Sequence, residues 1–209
     1  MLSRLQRIRW LALALAAVPT LVVVLAVLSA TAGGSSSSVP VAGPPHELRG
    51  PPPWPRNLRG LRTRLAALGL PTLAAEGTIL HYHDHLDVFV DGRRVSVPAG
   101  IGIGPDETFF SPLHTHDATG VVHIESPVVR PFTLGELFGV WGVPLSARCL
   151  GGDCAAGARR VWVYVDGRLL AGNPDRLLLQ PHQEILVAFG DRSQLPRPIP
   201  RSYDFPPGL

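Results

Sequence analysis

Six of the eight histidines in this 209-residue chain lie between residues 81 and 123, and within each run they recur at every second position. His81-Tyr82-His83-Asp84-His85 and His114-Thr115-His116 share this spacing, and His123 follows in Val121-Val122-His123-Ile124-Glu125. A period of two is the period of a β-strand, in which alternate side chains point to the same face. Along residues 81–90, His81, His83, His85 and Asp87 therefore share one face, and Leu86, Val88 and Val90 the other. In the later segment His123 and Glu125 stand opposite Val122 and Ile124. Both strands are amphipathic, with imidazoles in place of the usual solvent-facing side chains.

Neutral rings packed together gain little from one another, and protonating them brings like charges close. A bound cation resolves that conflict, because neutral imidazole is the commonest metal ligand. His114, His116 and His123 form the tighter candidate set. His83 and His85, with His81 on the same face, either complete that site or build a second one. Asp117, Thr119 and Glu125 are placed to accept the far ring N–H groups and so orient the ligands. Imidazole ligation suits Zn²⁺ or Cu²⁺. Met1 is the only methionine, which excludes a thioether-rich Cu⁺ site. His46 and His182 are expected to be idle.

Arg4, Arg7 and Arg9 precede a charge-free apolar run from Trp10 to Ala32. That run is long enough to span a bilayer, and the basic flank places the N-terminus inside. A single-pass anchor with the C-terminal domain outside the cytoplasm is expected. The alternative is a signal peptide cleaved near Ala32, after the small residues Ala30-Thr31-Ala32. With those three arginines set aside, the remaining basic and acidic residues balance, so the composition does not favour nucleic acid as a partner. Cys149 and Cys154 bracket Leu-Gly-Gly-Asp, and in an oxidising compartment they are most simply a disulfide closing a small loop. Soft-metal ligation or a reactive dithiol are the other options for that pair.

Residues 33–56, rich in Gly, Ser and Pro, read as a spacer. Residues 57–190 form the domain, and the Pro-rich residues 191–209 a tail draped over it or disordered. Asn57 is a candidate cap for a short helix carrying Leu58, Leu61, Leu65 and Leu68. Asp91-Gly92 joins two strands as a hairpin, and Asp166-Gly167 repeats the signal. Thr133 with Glu136 opens the main helix as a capping box. Strands at 161–165 and 184–189 follow. The expected fold is α+β, a small mixed sheet with one main helix and a β-grasp-like order. A β-sandwich or an open barrel with one helix is the alternative.

Three segments are distinctive together: His81–Gly92, Ser111–Pro127 (Ser-Pro-Leu-His-Thr-His-Asp-Ala-Thr-Gly-Val-Val-His-Ile-Glu-Ser-Pro) and Phe132–Val143. With the closing Tyr203-Asp204-Phe205-Pro206-Pro207-Gly208-Leu209, they resemble a group of uncharacterised secreted or membrane-anchored prokaryotic proteins. The resemblance implies an extracytoplasmic setting and carries no activity with it. Metal handling or storage is the leading expectation. The alternatives are a metal-dependent hydrolytic, hydrating or redox enzyme, and a cell-surface interaction module with pH-responsive histidines.

Overall fold

The computed structural model describes residues 47–209. The apolar run from Trp10 to Ala32, His46 and most of the spacer lie outside the described residues. No helix among the described residues is long and apolar enough to cross a membrane.

The sheet is built on one long strand, β1 (Leu80–Val90), which holds the first histidine run. Its C-terminal half forms a hairpin with β2 (Arg93–Val95). Asp91 and Gly92 both take positive φ, 47° and 79°, as the two-residue turn that matches strand twist requires. After an excursion through β3 (Leu113–His114) and β4 (Val121–Ser126), the chain enters helix α2 (Leu134–Trp141). Thr133 and Glu136 exchange side-chain and main-chain hydrogen bonds there as a full capping box. A small β5–β6 ribbon (Cys149–Leu150 and Asp153–Cys154) is closed by the Cys149–Cys154 disulfide. Strands β7 (Arg160–Val165), β8 (Arg168–Leu169) and β9 (Glu184–Gly190) complete the sheet.

β9 runs parallel to β1 along residues 85–90, and β7 pairs antiparallel with the far side of β9. Hairpin, helix and two further strands thus give the spatial order β2-β1-β9-β7, a mixed α+β sheet of the β-grasp type. β4 pairs with the N-terminal half of β1 on the same edge as β2, and β3 extends the sheet beyond it. β3 and β4, which carry His114 and His123, are therefore an extension attached to the hairpin edge of the sheet.

Packing follows the alternation. Leu86, Val88 and Val90 face Ile185, Val187 and Phe189 in register. Together with Val122 and Ile124 they share one buried core with Leu134, Leu137, Phe138 and Trp141 of α2. Asp84 falls on this apolar face, opposite Val122. Its Oδ1 accepts the Gln183 N–H at 3.0 Å, while Oδ2 is buried with no hydrogen-bond partner among the described residues. Burial, reinforced by the Asp166 charge, pushes the carboxyl up to about 8. A raised carboxyl pKa means that the folded chain prefers the protonated form. The stability this contributes is complete below about pH 4 and is lost as pH rises towards 8. The metal-free chain should therefore lose about 1 kcal/mol between pH 7 and 8 relative to Asp84→Asn. Urea unfolding of both at each pH measures this, and parallel profiles would refute it.

Two boundaries differ from the sequence reading. The domain begins before residue 57: Trp54 is buried, stands edge-on to Trp141, and is followed by Pro55, whose carbonyl accepts the Trp141 indole N–H. The described end of the spacer is thus part of the core, drawn in because Trp54 has a large apolar area to bury. Asn57 is not a helix cap. Helix α1 spans Leu61–Ala67, and its N-cap is Gly60 in the left-handed region with no side-chain cap. The tail is draped over the domain, with the Tyr203 ring on His85 and the Phe205 ring on His182.

Candidate metal centre

Sheet register gathers the rings. His83 on β1 lies directly opposite His123 on β4, and His123 lies directly opposite His114 on β3. Three imidazoles thus form a row across three strands. His81 pairs with Glu125 one step along. Side chains directly opposed in an antiparallel pair have Cβ atoms about 5 Å apart, so the ring nitrogens can converge.

They do converge. His81 Nε2 lies 3.2 Å from His83 Nε2, which lies 3.1 Å from His123 Nδ1. His123 Nδ1 is 2.9 Å from Glu125 Oε1, and that oxygen is 3.4 Å from His81 Nε2, closing a ring of four donors. A tetrahedral zinc with bonds of about 2.0–2.1 Å has donor–donor edges of about 3.3 Å. The four separations lie within about 0.4 Å of that edge. His114, His116, His123 and Glu125 form a second group, with one donor atom from each within 4.8 Å of the others. His114 Nε2 is 3.1 Å from His116 Nε2 and 3.9 Å from Glu125 Oε1. The two groups share His123 and Glu125.

Burial sets the charge of two of these rings. His83 and His114 are almost fully buried, whereas His81 and His116 stand at the rim with half-exposed rings. Desolvation, with the neighbouring His123 and His81 adding to it, pushes His83 down to about 4. Desolvation also brings His114 to about 4, against the opposing pull of Glu125. Both rings are neutral near pH 7, so their lone pairs are available to an ion. Burial favours the neutral form of Glu125, but the hydrogen bond from His123 and the nearness of His114 and His81 outweigh it. Its carboxyl is held below the usual range. A buried anion beside the neutral rings of His83 and His114 is the charge arrangement a cation needs.

The remaining sequence candidates sit elsewhere. His85 shares the face of His83, but Nδ1 is 2.6 Å from Glu184 Oε2 and Nε2 is 3.0 Å from the Thr119 carbonyl. With both nitrogens engaged, and Tyr203 stacked on the ring at 3.8 Å, it belongs to a separate group with Asp87 and Glu184. Thr119 does orient a ring, that of His85, through its main chain. Asp117 turns back to accept the Thr119 N–H and hydroxyl, an exposed local turn. Glu125 was expected behind a ring and instead stands among the donor nitrogens. His182 packs on Phe205.

Sequence spacing missed one group. Glu76, on the segment before β1, brings Oε1 to 3.0 Å from His116 Nε2 and 3.8 Å from His114 Nε2. No periodicity marks it, because a loop carboxylate is delivered by tertiary contact alone. The chain matches no known protein family, no curated protein and no solved structure, so its own geometry carries the reading of this centre.

Proposed function

We propose that this chain is a membrane-anchored, extracytoplasmic domain that binds Zn²⁺ or Cu²⁺ and serves in metal handling or storage. The observation that carries this is the closed ring of His81, His83, His123 and Glu125, whose successive donor separations run from 2.9 to 3.4 Å. Four protein donors saturate a tetrahedral ion, which suits holding a metal better than activating a water on it. Imidazole and carboxylate donors select the borderline divalent ions. The cysteines are tied in a disulfide, so no thiolate is offered to Cu⁺. The disulfide fits an oxidising compartment, and the arginine-flanked apolar run supports the anchor.

A metal-dependent hydrolytic enzyme is the second reading. It is favoured by a cleft of about 300 Å³ lined by Arg56, Gly100, Gly104, Asp106, Glu107 and the rim ring of His116. Such a cleft could seat a small ligand beside an ion.

The deciding measurement is metal content by mass spectrometry on the full chain in detergent after dialysis against a weak chelator. At least one retained Zn²⁺ or Cu²⁺ per chain is expected. A folded chain that retains neither removes the proposal. Hydrolysis or hydration by the loaded chain would move it to the second reading.

A further inference from the structure

We infer that the centre holds two ions, the second bound by His114, His116 and Glu76, with the Glu125 carboxylate shared between the pair. This rests on the metal-binding reading above and adds to it a count and a second ligand set.

Seven donor groups converge here, and a single four-coordinate ion uses four of them. With one ion on His81, His83, His123 and Glu125, the Nε2 atoms of His114 and His116 remain 3.1 Å apart beside Glu76. His114 is built as a ligand. Its Nδ1 lies 3.0 Å from the Ser111 carbonyl oxygen, which can only accept, so Nδ1 carries the proton. That hydrogen bond fixes the tautomer and leaves Nε2 as a bare lone pair aimed at His116 and Glu76. The ring is wholly buried, so solvent does not compete for that lone pair.

Glu76 is also held in place. Beside it, Gly77 packs so closely on β4 that a Cβ there would lie 2.3 Å from the Ser126 carbonyl carbon. Only glycine permits that approach, and it carries the neighbouring carboxylate to 3.0 Å from His116 Nε2. Glu125 Oε1 lies 3.4 Å from His81 Nε2 on one side and 3.9 Å from His114 Nε2 on the other. A carboxylate between two nitrogen clusters is the usual bridge of paired divalent ions.

Zn²⁺ titration of the full chain, with bound metal counted by mass spectrometry, should give two ions per chain. His116→Ala should leave one, and Glu76→Gln should weaken the second binding step by about 10-fold or more. Both side chains are about two-fifths exposed, 40% and 42%, so neither substitution threatens the fold. Loaded with Cu²⁺, the wild type should show the half-field electron paramagnetic resonance signal of a coupled pair. The His116→Ala variant should show an isolated Cu²⁺ spectrum. A single ion in the wild type, whether or not His116→Ala weakens it, overturns the pair and leaves the one-ion reading standing. A folded chain that binds no ion removes both.

Discussion

Replacing His123 with alanine should lower the Zn²⁺ affinity of the full chain by at least about 100-fold. Losing a residue that merely orients a ligand costs about 10–100-fold, and losing a donor common to both groups should exceed that. His123 is the middle ring of the three-strand row, with Nδ1 3.1 Å from His83 Nε2 and 2.9 Å from Glu125 Oε1. Its ring also lies against His114 and His116, at centroid distances of 5.3 and 4.5 Å. Competition with a chromophoric chelator measures the change. His182→Ala is the control, because that ring packs on Phe205 outside the cluster, and it should shift affinity less than about threefold. Wild-type affinity in His123→Ala would show that the rings do not act together on an ion.

The second large effect concerns stability and a residue outside the histidine cluster. Arg64 of α1 is buried to 1% exposure. Its guanidinium donates to the Asn57 carbonyl at 2.5 Å, the Arg59 carbonyl at 2.6 Å, and the Val140 carbonyl through two nitrogens at 3.0 and 3.3 Å. Burial lowers its pKa, with the Glu47 charge opposing the shift. One side chain thus satisfies the carbonyls that end α2 and the approach to α1. Arg64→Met keeps the stem and removes every donor, leaving buried acceptors unpaired. The expected loss is about 3–5 kcal/mol, a fall in Tm of about 10 °C. Arg64→Lys should fall between, since an ammonium keeps the charge without the planar fork. Thermal melts of the three proteins decide this, and a Met variant melting within about 2 °C of wild type would contradict it.

The parts of this molecule written in local spacing were readable from the sequence. Alternation placed the histidines on one face of β1, and Asp91-Gly92 and Asp166-Gly167 both form the expected turns. The capping box at Thr133 and the Cys149–Cys154 bond depend on neighbours within five residues. What escaped depends on distant contacts. The pairing of His114 with His123 is a matter of strand register, set by tertiary packing, and it brings Glu125 among the donors. Glu76 arrives from a loop, and Arg64 is buried because distant main-chain carbonyls need donors. Gly60 opens α1 in place of Asn57 because a left-handed residue can begin a helix without a capping side chain.

β1 has a further consequence for how an ion would come and go. Its first half carries His81 and His83, and its second half runs between β2 and β9 in the middle of the sheet. β1 itself therefore offers no hinge, since parting it from its neighbours would unmake the core. Traffic is left to the two rim rings, His81 and His116, with exposures of 50% and 40%. These two rings face solvent, whereas His83 and His114 are buried. If an ion binds as proposed, its uptake and release would be side-chain events at these two rim imidazoles on a fixed backbone.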